Sequence, residues 1–320
     1  MASPYSPANA NPEFTMTQQY IRKASLIIGA GSDALDLSKM QFTFNVQAAV
    51  ISTPTTAFIR VFNLSGKTAR RVTEEGELII LSAGYGGNFN TIFQGQITQA
   101  RIGRENGTDT YLDITAADGD QIYNFAVVNF SVAAGSNAIG RLRMLATAAG
   151  MPEGTIQAPE NGPKLSRGVV YFGLVRDCLR QECASIGTNW SINDGKLDVI
   201  AEGGYKEGEI PVITSATGMI GVPEQNGLGI SFKCLLNPHL RKDERVQIDN
   251  ALIRQFGYTT SNLEIAKQFA SIPTLTTDGI YKILYVNHYG DTRGNDWYSD
   301  VVASSDIKNK AQLQFMPKIS

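Results

Sequence analysis

Turn-forming residues interrupt this chain about every 10–15 residues, and the segments between them alternate apolar with polar side chains. Residues 42–47 (Phe-Thr-Phe-Asn-Val-Gln) show that alternation most plainly. It is the period of a strand with one face buried. Residues 57–64, 77–83, 90–97 and 110–116 read the same way, and residues 20–28 form a further strand that Gly29 and Gly31 break. Residues 67–75 are the one short helix expected in this part. Glycine supplies 31 of the 320 residues, above the roughly 7% of ordinary chains, as a turn-rich β protein requires. The pattern predicts a mostly β chain of barrel or sandwich type.

The middle changes character. Residues 137–149 place apolar side chains on one face and stop at Gly150, a residue suited to a helix C-terminus. Residues 150–167, rich in Gly, Pro and Asn, predict a linker or long loop, and 169–186 a second amphipathic helix closed by Gly187. Residues 189–192 and 196–200 flank Asp194-Gly195, a strong hairpin signal. Strands then return at 210–213, 218–221, 229–236 and 245–249. Residues 279–289 are expected to be the longest strand, followed by 297–303. Residues 259–272 read as a loop or short helix.

At ~100–200 residues per domain, the length suggests two or three domains. Residues 1–15 have neither an apolar core nor a basic start, so they read as an expression tag rather than a signal peptide, with the natural chain starting at Met16. The pattern divides the rest into a first β block at 16–118, an α+β insertion at 119–206 and a second β block at 207–320.

The chemistry-bearing residues do not converge. Lys and Arg total 28 against 30 Asp and Glu, which argues against a general DNA-binding surface. No apolar run approaches the ~20 residues of a membrane helix. Gly29-Ala-Gly31 with Ala34 resembles a dinucleotide fingerprint, but the stretch before the next strand is too short for a crossover helix. Residues 48–56 also lack the acidic partner that fingerprint needs. Gly84, Gly86 and Gly87 lack the Lys-Ser/Thr ending of a phosphate loop and read as a loose hairpin loop. Two histidines, His239 and His288, give little material for a metal site or a Ser-His-Asp triad. His288 is expected to be a hydrogen-bonded sheet residue. Cys178, Cys183 and Cys234 form no paired framework and are expected to be reduced, structural thiols, the first two on different sides of one helix. No catalytic residue, cofactor ligand or metal ligand is assigned.

Four segments, in order, resemble the baseplate hub proteins of bacteriophage tails. The first is the strand 57–64 ending Asn-Leu, then Ser65, the helix from Lys67, and the strand ending Leu-Ser-Ala-Gly-Tyr at 81–85. Residues 93–97 and 113–119 continue it. The second is the hairpin 189–200, the third 232–240 (Phe-Lys-Cys-Leu-Leu-Asn-Pro-His-Leu), and the fourth 281–303 with His-Tyr-Gly-Asp-Thr-Arg-Gly at 288–294. The resemblance spans roughly residues 21–303.

It implies two tail-tube-like β-barrels plus a smaller helix-helix-hairpin domain. It implies a homotrimer ring that joins the tail tube protein to the central spike protein among other baseplate proteins, in the virion after assembly in the host cytoplasm. No membrane, no sequence-specific nucleic acid and no catalysis are implied. The alternatives are a distal-tail or tail-tube ring protein, and a β-rich tail-associated hydrolase. The blocks at about 18–117 and 208–303 are expected to be copies of one barrel, although no residue identity between them is visible in the sequence.

Overall fold

The computed structural model describes residues 21–29, 34–50, 52–158, 164–254 and 274–305. In the first part, β1 (Arg22–Ile28), β2 (Leu35–Asp36), β3 (Phe42–Ala49) and β4 (Thr56–Phe62) lead into helix α1 (Gly66–Glu75). Strands β5 (Leu78–Tyr85), β6 (Asn88–Arg104) and β7 (Thr110–Ala117) follow. They lie side by side in the order β3-β4-β7-β6-β5-β1-β2. The alternation seen in the sequence sets which face is buried: Phe42, Phe44 and Val46 point inward from β3, and Ile59 and Val61 from β4. The Ser65 hydroxyl accepts from the Thr68 N–H at 3.1 Å and starts α1.

The middle part contains α2 (Asp120–Phe125), β8 (Val127–Val132), α3 (Ala138–Ala148), β9 (Glu153–Ile156) and β10 (Val169–Leu174). It ends with α4 (Val175–Ser185), β11 (Thr188–Asn193) and β12 (Lys196–Ala201). Strands β8 and β10 pair antiparallel, as do β11 and β12. Helices α3 and α4 pack into a separate core through Leu142 and Leu179, together with Trp190.

The last part contains β13 (Val212–Ile213), β14 (Met219–Asn226), β15 (Gly229–Leu235), β16 (Arg245–Ile248), β17 (Ile280–Asp291) and β18 (Trp297–Ser304). Their order is β14-β15-β18-β17-β16-β13. Replacing each strand by its counterpart in chain order turns this into β3-β4-β7-β6-β5-β1, the order of the first part. The short β2 has no counterpart, and β13 runs parallel to β16 where β1 runs antiparallel to β5. The expected class, mostly β with two barrel-like blocks and an α+β unit, is the observed one. The two blocks are also fused: β17 pairs with β3, joining all their strands into one thirteen-stranded sheet.

Three local expectations are corrected. Residues 169–174 are a strand, not the start of a helix, because the β-branched and aromatic run Val-Val-Tyr-Phe finds a partner in β8. The helix begins only at Val175. Within the expected loop 150–167, residues 153–156 form β9, recruited by parallel pairing with β12. The longest strand among the described residues is β6, with 17 residues against 12 in β17. Cys178 and Cys183 are both buried, as expected of structural thiols, and sheet and helix cover α4 on more than one side. The segment 259–272 lies outside the described residues.

Candidate assembly interfaces

The repeat extends to individual residues. Gln96 pairs with Leu78 of β5 and Ala117 of β7, so its neighbours lie on opposite flanks. Lys282 of β17 likewise pairs with Arg245 of β16 and Ser304 of β18. Two residues further on, each strand bulges at the same place: Thr98 is extra between Ile97 and Gln99, and Leu284 between Ile283 and Tyr285. With that register, the sequence of β7, Thr-Tyr-Leu-Asp-Ile-Thr-Ala-Ala, lies on that of β18, Trp-Tyr-Ser-Asp-Val-Val-Ala-Ser. Tyr, Asp and Ala recur at 111 and 298, 113 and 300, and 116 and 303.

The same register places Arg60 of β4 opposite Asp113 and Lys233 of β15 opposite Asp300. Arg60 makes two hydrogen bonds to Asp113, at 2.7 and 3.0 Å, and its guanidinium lies 4.1 Å from the Tyr111 ring centre. The Lys233 ammonium lies 4.2 Å from the Tyr298 ring centre. Burial raises the Asp300 carboxyl above its ordinary value, and the nearby Lys233 charge works against that rise.

The repeat breaks where the three parts meet. The first block has α1 between β4 and β5. The second has residues 236–244 in its place, and these carry the joint. Arg241 donates to the Asp194 carboxylate at 2.8 Å and to the Thr91 carbonyl at 2.8 Å, so one side chain holds the β11–β12 turn and the first block together. At the end of β7, the Asp118 carboxylate accepts the N–H groups of Asp194 and Gly195 at 2.6 and 2.9 Å. The turn residues that predicted the hairpin are thus also its attachment point, and Asp194 has φ 51°. Asn88 donates to Asn237 at 3.1 Å across the two blocks. Lys206 pairs with Asp198, and Lys282 with Asp243 at 2.6 Å.

Asp118, Asp194, Asp198, Lys206 and Arg241 line a cavity of about 310 Å³. Desolvation pushes the Asp118 carboxyl up to about 6 and lowers Lys242 from its ordinary value. The Lys242 ammonium is buried without a hydrogen-bond partner among the described residues.

The sequence candidates fall in separate places. Gly29 and Ala34 of the 29–34 motif lie between strands β1 and β2, which pair antiparallel, whereas a crossover joins parallel strands. Gly86 and Gly87 form a tight turn, since Tyr85 and Asn88 already pair. The Nε2–H of His288 donates to the Leu240 carbonyl at 3.1 Å, so its bare Nδ1 accepts the Ser299 hydroxyl at 2.7 Å. Ser299 also accepts the Asn237 N–H and is fully buried. This serine–histidine contact is buried and has no carboxylate behind it, since the other ring nitrogen is taken by a backbone carbonyl. The His239 backbone N–H donates to the Asn237 side-chain oxygen at 3.1 Å, so Asn237 caps this turn. All three cysteines are free and buried, and burial raises each thiol, Cys183 up to about 11. Among the described residues no group of three His, Cys, Asp or Glu could hold a metal, and no helix is long and apolar enough to cross a membrane.

No protein-family model and no curated protein sequence matches the chain. Solved structures do. A tail protein from Neisseria meningitidis superimposes with a TM-score of 0.56 at 12% identity, over 90% of this chain and 97% of its own. The chain has the fold of phage tail proteins. The 43 kDa tail protein of prophage MuSo2 from Shewanella oneidensis shares this tail fold, with a TM-score of 0.55 at 7% identity over 88% of this chain and 98% of that one. So does an Escherichia coli type VI secretion component described as similar to the T4 tail proteins gp27 and gp5. It gives a TM-score of 0.53 at 9% identity over 84% and 74% of the two chains. The tail fold therefore covers both β blocks and the unit between them.

Proposed function

We propose that this chain is a structural baseplate hub of a phage or prophage tail. Three copies form a ring that joins the tail tube to the central spike, alongside other baseplate proteins in the virion. Its units are a first tube-like barrel at 16–118, an α+β unit at 119–206 and a second tube-like barrel at 207–320. The observation that carries this reading is the repeat: two blocks with one strand order, one bulge position and one cation–Asp–Tyr set. Three chains with two such blocks present six similar barrels, so a three-fold ring can meet six-fold geometry on one side and three-fold on the other.

The tail fold of the structural neighbours supports a role in the tail. No catalytic role is proposed for any residue, and burial of Ser299 and His288 supports that choice. Sedimentation with mass determination tests the reading. Three chains per particle, alone or with tube or spike protein added, is the expected result. A hexamer would favour a tube or distal-tail ring instead, and a monomer under every condition would overturn the ring.

A further inference from the structure

The repeat leaves one flank uncovered. On β17, residues 285–290 carry β18 on one flank and β3 on the other. The counterparts of those residues on β6 begin at Gln99. They carry β7 on one flank, and among the described residues no strand pairs with the other. A flank of this kind is a template for another strand. The strand that fills the place on β17 is β3, whose counterpart is β14, and β14 is the edge strand at the far end of the sheet.

We propose that β14 of a second copy of this chain adds antiparallel to the open flank of β6, in the register of the β3–β17 joint. This rests on the ring reading and names the contact that would close it. In that register Gln225 lies opposite Ile102, because their counterparts Val46 and His288 are paired. Glu224 lies opposite Gly103 and diagonal to Arg101, within reach of a long side chain.

The two edges are complementary. The β6 flank carries exposed Arg101 and Arg104 around Ile102, which is 55% exposed. The β14 edge carries exposed Glu224 and Val222. Opposite charges allow the two edges to pair with each other, and like charges oppose pairing of either edge with itself. In the single chain the place is held by Arg254. Its N–H donates to the Pro223 carbonyl at 2.8 Å, its carbonyl accepts from Gln225 at 3.1 Å, and its guanidinium lies 3.6 Å from Glu224. Arg254 thus occupies the groups an incoming strand would use, and it must yield when the second copy binds.

A charge exchange in the full chain tests the contact. Arg101→Glu and Glu224→Arg should each lower the trimer fraction at least tenfold, and the double variant should restore it. Both side chains are exposed, and circular dichroism of each variant checks that it is folded. Ile102→Cys with Gln225→Cys in one chain should give disulfide-linked dimers and trimers on a non-reducing gel, whereas either single variant should not. A trimer that is indifferent to the charge changes and forms no such links overturns this contact and leaves the ring standing. A chain that never associates overturns both.

Discussion

Arg60 and Lys233 occupy one position in two copies of the same strand order, each opposite an aspartate and each over the ring of a tyrosine two residues before it. The copies differ in how the cation is used. Arg60 grips Asp113 with two hydrogen bonds in a fork, a geometry a lysine does not reproduce.

Arg60→Lys is therefore expected to lower stability by about 1 kcal/mol, the order of a lost charge-assisted hydrogen bond at a partly exposed site. Lys233→Arg should cost less, since the site already holds the same Asp and Tyr. Urea unfolding of both variants with unchanged m-values makes the comparison.

Gly290 of β17 pairs with Phe44 of β3 at the joint of the two blocks. A Cβ there would lie 2.6 Å from the Trp297 ring and 2.8 Å from Phe44, two rings already in edge contact at 5.3 Å. Gly290→Ala is expected to destabilise by roughly 1–3 kcal/mol through overpacking. Thermal unfolding measures it, and a variant with an unchanged midpoint would contradict the packing described.

Two buried groups give opposite pH dependences. Desolvation lowers His288 from 6.5 to about 4. From pH 6.5 down to 4 the unfolded chain binds a proton the folded chain refuses, so stability falls with pH by about 3 kcal/mol. Desolvation raises Asp118 from 3.8 to about 6. From pH 6 down to 3.8 the folded chain holds a proton the unfolded chain has released, so stability rises by a similar amount, about 3 kcal/mol. The wild-type contributions nearly cancel. Asp118→Asn should expose a steep acid loss between pH 6.5 and 4, and His288→Gln the reverse slope, both read from denaturant midpoints across that range.

Asp118→Ala should also loosen the attachment of the α+β unit, because it removes the acceptor for two backbone N–H groups. Hydrogen exchange at Asp194 and Gly195 should quicken by about tenfold or more, as expected for a loss of roughly 1–3 kcal/mol. Amides in β4, remote from the joint, should keep their protection.

Local pattern determined most of the elements. The two-residue period of 42–47 and 57–64 fixed which side chains of β3 and β4 face the core, and Asp194-Gly195 fixed the turn between β11 and β12, since those choices depend on near neighbours in the chain. Pairing between distant segments decided the rest. Residues 169–174 became β10 because β8 lies beside them, and residues 153–156 became β9 because β12 does. The recurrence of Tyr, Asp and Ala in β7 and β18 was in the sequence throughout, but only the strand register, with its one-residue bulges at Thr98 and Leu284, brings the positions into line. Nothing in the chain near Arg241 marks it as the residue that joins three parts. Its partners, Thr91 and Asp194, lie 150 and 47 positions away, and only folding brings them within hydrogen-bond distance.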